Sequence, residues 1–209
     1  MKTNRILLMM AALTLTACHQ KRTAKLDSCC AKNNAAAKAT MVMPAAGGSS
    51  VYQLTGSWTD QHDRHLTLSK LQGHPQIVAM IFTHCTSVCP RIVDEMKTIR
   101  DSLPASIKKE VGGVLVSFDP ERDTPARLSM FAAQRGLDAQ WELLEGSDGQ
   151  VRELSMALDV RYQKLSGGNF SHSGDIYILD ENGNIVQSLS GLGGSVHSAD
   201  SVLTRLVRR

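Results

Sequence analysis

Residues 76–82 read Gln-Ile-Val-Ala-Met-Ile-Phe, a nearly unbroken apolar run, and the pair Cys85 and Cys89 follows almost at once, with Pro90 directly after the second cysteine. A strand without polar alternation must be buried on both faces, so it needs layers above and below its sheet. Pro90 suits the first turn of a helix, where its missing N–H has no partner to lose. Ile92, Met96, Ile99 and Leu103 continue at helical spacing on one face, and Pro104 closes the segment. The cysteine pair is therefore expected on a loop between a central strand and its helix.

The same alternation continues downstream. Val111–Phe118 reads as a second buried strand. Thr124-Pro125 gives an N-cap with proline at the first helical position, Leu128, Phe131 and Ala132 form the apolar stripe, and Gly136 stops it. Trp141–Leu144 is a short strand. Ser147 and Gln150 fit a capping box opening a helix with Val151, Leu154 and Leu158. Asn182-Gly183 between 175–179 and 185–189 is a hairpin signal, and a last helix carries Val202, Leu203 and Leu206. Strands alternating with helices, ending in a hairpin, predict an α/β domain with a central mixed sheet flanked by helices. With the cysteines at the first strand–helix junction, this is the thioredoxin-like layout.

The chain has 209 residues, 42% of them hydrophobic, which fits one domain with some chain to spare. Lys2 and Arg5 precede an apolar stretch, Ile6–Leu15, too short to span a bilayer but suited to a signal-peptide core. It ends in Leu15-Thr16-Ala17-Cys18, which resembles a bacterial lipobox, so residues 1–17 are expected to be removed and Cys18 acylated. Several acyl chains would anchor the protein to a membrane. His19 after that cysteine, rather than aspartate, resembles signals for the outer membrane. The expected compartment is the periplasm, which is oxidising. Removal of residues 1–17 takes Lys2 and Arg5 and no acid, so the net charge falls from +3 to +1 and offers no electrostatic case for nucleic acid. Residues 18–50, rich in Ala, Lys, Asn, Gly and Ser, read as a lipidated cysteine and tether with a reach of about 30 Å. The folded domain is expected over 51–209.

The chemistry concentrates in Thr83-His84-Cys85-Thr86-Ser87-Val88-Cys89-Pro90. A loop entering a helix favours negative charge and hence thiolates. Two soft sulfurs close together suit Cu(I), or Cu(II) with an added imidazole. A structural disulfide is the plainer reading of the same pair. His172, in Phe170-Ser171-His172-Ser173, is the candidate third ligand, because in a thioredoxin-like sheet that segment faces the cysteine loop. A redox thioredoxin carries a proline there, and this chain does not. His84 adjoins Cys85 and is an auxiliary candidate, whereas His62, His65 and His197 read as solvated. The run Asp119-Pro120-Glu121-Arg122-Asp123-Thr124-Pro125 follows the second central strand. Asp119 there could orient a ligand from outside the ligand set or face a partner, or the run could be a charged loop that caps a helix.

Together the cysteine loop ending in Cys89-Pro90, the Asp119–Pro125 run and the late His172 resemble the SCO/SenC family, in order from Val51 to about Leu189. The resemblance implies a copper chaperone on a thioredoxin fold that assists assembly of the binuclear copper centre of cytochrome c oxidase. It implies Cys85, Cys89 and His172 as the ligands of copper. It also implies two partners, a copper-acceptor protein such as an oxidase subunit and a periplasmic thiol reductant. The family's loop usually has Pro-Asp after the first cysteine, where this chain has Thr86-Ser87. Some members act mainly as thiol–disulfide enzymes, so Cys85 and Cys89 stand also as a redox-active pair. A peroxidase would need an activating arginine and a peroxide pocket, and the sequence marks neither.

Cys29-Cys30, Met41 and Met43 place soft donors in the tether. Thiolate and thioether select Cu(I). If the tether gathers copper, the mature protein takes up a second Cu(I) equivalent that disappears when Cys29 and Cys30 become serine. Equal Cu(I) stoichiometry for the mature protein and for residues 51–209 would leave the segment a spacer.

Overall fold

The computed structural model describes residues 50–193 and 196–209. The expectations for the signal peptide, Cys18, His19, Cys29, Cys30, Met41 and Met43 lie outside those residues. In chain order the elements are β1 (Trp58–Asp60), β2 (His65–Leu66), β3 (Gln76–Ile81), α1 (Val88–Ser102), α2 (Ala105–Lys108), β4 (Gly112–Ser117), α3 (Pro125–Arg135), β5 (Trp141–Glu145), α4 (Asp148–Ala157), β6 (Tyr162–Lys164), β7 (Phe170–His172), β8 (Ile176–Leu179), β9 (Ile185–Leu189) and α5 (Val196–Val207). Among the described residues, no helix is long and apolar enough to cross a membrane.

The apolar run of β3 is buried at every residue, as its lack of alternation demands. It is an interior strand of a sheet ordered β2-β1-β5-β4-β3-β8-β9. β3 pairs in parallel with β4, Gln76 opposite Gly112 through Ile81 opposite Ser117, and β4 pairs in parallel with β5. β8 and β9 add antiparallel strands on the other side of β3. The fold is a thioredoxin-like α/β domain with helices covering the sheet. α1 packs against α5, while α3 lies against β5 and β1. Parallel pairing through helical crossovers sends the carboxyl ends of β3 and β4 to one edge, so the cysteine loop and the 118–124 loop emerge side by side.

Local chemistry sets the element ends. Thr124 caps α3 by accepting the Arg127 N–H, and Gly136 stops it at φ 61°. Ser147 and Gln150 form the expected capping box on α4. Pro104 both follows the end of α1 and opens α2, a short helix that apolar spacing does not reveal. Two hairpins also escape the sequence pattern. β1 and β2 pair across a turn tied by the Asp60 carboxylate, which accepts the N–H groups of His62 (2.8 Å) and Arg64 (2.9 Å). β6 and β7 form a separate two-stranded sheet, turning through Gly167 and Gly168 at φ 89° and 79°. His172 therefore ends a strand of its own small sheet and does not simply precede the main hairpin.

Gly113 makes the close packing of β4 on β5 possible. A Cβ built there would lie 2.5 Å from a ring carbon of the buried Trp141, its parallel partner. Gly113→Ala should therefore destabilise the domain by about 1–3 kcal/mol through overpacking, read from the urea midpoint at unchanged m-value. An unchanged midpoint would mean that the ring has room to shift.

Candidate metal centre

α1 begins two residues earlier than Pro90 alone suggests, at Val88, so Cys89 sits in the first helical turn. The N-cap residue Ser87 makes no side-chain capping bond. Cys85 takes that place: its Sγ accepts the Cys89 N–H at 3.4 Å. Burial pushes the Cys85 thiol up, but hydrogen bonds from the N–H groups of Cys89, Ser87 and Val88 and from the Cys89 side chain outweigh it, and the net shift is downward. Cys89 goes the opposite way. It is wholly buried, and burial drives its thiol far up, helped by the negative charges of Cys85 and Asp123, with a backbone hydrogen bond at Phe82 opposing. Both cysteines are free thiols in this structure. The helix start has sorted the pair into a half-exposed sulfur that ionises readily and a buried one that keeps its proton.

His172 meets this pair from β7. Its Nε2 lies 3.4 Å from Cys89 Sγ, and its Nδ1 is 2.9 Å from the carbonyl oxygen of Ser173. A carbonyl can only accept, so Nδ1 carries the proton and Nε2 turns its lone pair toward Cys89. Aromatic rings hold the imidazole. Its centroid is 4.9 Å from that of Phe118 and 6.2 Å from that of Phe82, and Phe170 packs on both phenylalanines at 5.0 and 5.2 Å. A cleft of about 390 Å³ opens beside Cys85 and His172. The donor atoms of Cys85, Cys89 and His172 do not all lie within 4.8 Å of one another, so closure on one ion needs a side-chain movement. Two sulfurs and an imidazole nitrogen fit a soft or borderline ion.

The structure places the remaining candidates elsewhere. Asp119 is buried and faces no partner surface. It accepts from Arg122 through Oδ2, and Arg122 also donates to the Gly168 carbonyl in the β6–β7 turn. The acid thus fixes an arginine that grips the hairpin bearing His172. His84 turns toward Asp123, with Nδ1 3.6 Å from Oδ1. His65 lies on β2, His62 in the adjoining turn and His197 in α5, all three exposed. Sequence reasoning missed the aromatic wall and the Arg122 grip. The wall had a signal: three of the chain's four phenylalanines, 82, 118 and 170, directly adjoin the candidate segments.

A thioredoxin-like domain with a Cys-x-x-x-Cys loop at the head of its first long helix, and a histidine brought to it from a late hairpin, defines a class of thiol-bearing, metal-competent proteins. Within it, this chain belongs to the SCO1/SenC family, whose model matches residues 49–207. It is 30% identical over 130 residues, 60% of its length, to a protein of Stutzerimonas stutzeri named for copper binding, and spans 63% of that relative. It is similar to the structure of Bradyrhizobium japonicum ScoI with copper bound, at 27% identity and a TM-score of 0.62 over 72% of this chain and 96% of that one. A SCO1/SenC family lipoprotein from Bacillus anthracis superposes with a TM-score of 0.67 at 26% identity, over 74% and 94% of the two chains.

The opposite shifts of the two thiols predict unequal reactivity. Iodoacetamide should alkylate Cys85 first, with a rate that rises with pH through a midpoint below the ordinary thiol value of 9.0. Peptide mapping by mass spectrometry reads the order. Labelling of Cys89 before Cys85 would contradict the assignment.

Proposed function

We propose that this chain binds one copper ion through Cys85, Cys89 and His172 and hands it to a copper-acceptor protein, an oxidase subunit whose binuclear centre is being matured. The observation that carries the reading is the approach of His172 Nε2 to Cys89 Sγ at 3.4 Å, with Nδ1 committed to the Ser173 carbonyl. That hydrogen bond leaves Nε2 as the free donor nitrogen and orients it, the arrangement metal-binding histidines use. Family membership and the copper-bound relative support copper as the ion. The sequence supports a periplasmic site of action, an acylated Cys18 as membrane anchor and a periplasmic thiol reductant as second partner. Asp119 acts through Arg122 as a positioning residue for the hairpin that carries His172.

A second reading, a thiol–disulfide oxidoreductase, is favoured by one observation: the lowered Cys85 and raised Cys89 thiols match an attacking and a resolving cysteine. The two readings differ at His172. Copper binding needs it as a ligand, whereas disulfide exchange needs only the sulfurs.

Competition against a chromophoric Cu(I) chelator tests the first reading. Reduced protein should bind one Cu(I) in this domain, and His172→Ala should weaken it by at least the roughly 10–100-fold that loss of an outer-shell partner causes. Affinity should also rise with pH. Cys89 holds its proton in the free protein, so binding releases it and gains about tenfold per pH unit for that one proton. Below the pKa of Cys85 a second proton joins and the slope steepens. A pH-independent affinity, or wild-type affinity in His172→Ala with retained disulfide exchange, would favour the second reading.

A further inference from the structure

Behind the cysteine loop lies a second constellation. Ligand atoms of His84, Asp119 and Asp123 all fall within 4.8 Å of one another. The histidine is exposed at the surface end and the two acids are buried, Asp119 at 1% and Asp123 at 0% exposure. Asp123 Oδ2 accepts from the Thr83 N–H and the Ser117 hydroxyl, and its Oδ1 accepts from the Thr83 hydroxyl. His84 Nδ1 lies 3.6 Å from its Oδ1 and 3.5 Å from the Thr83 hydroxyl. Asp119 gives Oδ2 to Arg122, while its Oδ1 is buried with no hydrogen-bond partner. A buried carboxylate oxygen without a donor is costly and needs an explanation. The nearby Arg127 turns its Nε and Nη2 to the Thr83 hydroxyl and carbonyl instead.

We propose that His84, Asp119 and Asp123 form a second metal site, for a divalent first-row cation of the kind that prefers nitrogen and oxygen donors, such as Zn(II). The spacing fits. At 3.6 Å, His84 Nδ1 and Asp123 Oδ1 are too far apart for a hydrogen bond. Two ligands each about 2.1 Å from one tetrahedral ion stand about 3.4 Å apart. The orphaned Asp119 oxygen completes a set of one imidazole and two carboxylates, with the other Asp119 oxygen remaining on Arg122. The donor chemistry separates this site from the sulfur site: it contains no thiolate, so hard and borderline ions sort to it while Cu(I) sorts to the cysteines. The acids are already fixed by β3, β4 and the 118–124 loop, and solvent reaches the cluster on the His84 side. The site stands independently of the copper reading.

The test uses the full-length protein carrying Cys29→Ser, Cys30→Ser, Cys85→Ser, Cys89→Ser and His172→Ala, which removes the sulfur site and the tether thiols. Zn(II) is titrated against a chromophoric indicator in this protein and in the same protein with His84→Ala or Asp119→Asn added. The proposal expects one Zn(II) equivalent that either added substitution removes or weakens at least tenfold. It also expects Co(II) to give d–d absorption that His84→Ala abolishes, without sulfur-to-metal charge transfer. His84 is exposed, so its alanine variant should retain the fold by circular dichroism even if the Asp119 variant does not. Equal stoichiometry and affinity for Zn(II) with and without His84 would overturn the site and leave the cluster as a histidine–carboxylate pair.

Discussion

Asp123 lies fully buried at the carboxyl end of the sheet, where its two oxygens take the Thr83 N–H at 2.9 Å, the Thr83 hydroxyl at 2.6 Å and the Ser117 hydroxyl at 2.6 Å. Thr83 is the first turn past β3 and Ser117 the last residue of β4, so this one carboxylate ties together the exits of the two parallel strands. The cysteine loop starts two residues after Thr83, and its position relative to the 118–124 loop follows from that tie. Replacing the acid would leave buried donors unpaired, at about 1–3 kcal/mol each. The same loop then passes the constraint outward. Asp119 holds Arg122, Arg122 holds Gly168, and the β6–β7 hairpin is set so that His172 reaches Cys89.

The chemistry of the site follows from where the helix begins. A helix start at Val88 aims N–H groups at Cys85 and buries Cys89 beneath the turn. One sulfur is ready to meet an incoming ion or disulfide, and the other must give up a proton to follow. That proton opposes metal binding, and regaining it favours release. A site built this way suits transfer better than permanent storage.

Much of this was legible in the sequence. The central strands, the long helix and the capped helices appear in apolar periodicity and capping residues, because each element's burial is decided by its own side chains. The order and neighbours of Cys85, Cys89 and His172 mark them as a candidate set, and the structure brings His172 Nε2 to 3.4 Å from Cys89 Sγ. Three features were not. β1–β2 and β6–β7 are too short to show a period, and their pairing rests on turn contacts such as the Asp60 carboxylate. The role of Asp119 depends on Arg122 finding a carbonyl 46 residues away, a contact that no local pattern encodes. The direction of His84 depends on the Asp123 tie, since a residue next to a cysteine can as easily point behind the loop as into it.

X-ray absorption at the copper edge of the Cu(I)-loaded, reduced protein tests the central claim most directly. The account predicts thiolate sulfur from Cys85 and Cys89 and imidazole scattering that His172→Ala abolishes and His84→Ala leaves in place. Imidazole scattering that survives His172→Ala and vanishes in His84→Ala would place copper behind the loop and contradict the assignment of Cys85, Cys89 and His172 as its ligands.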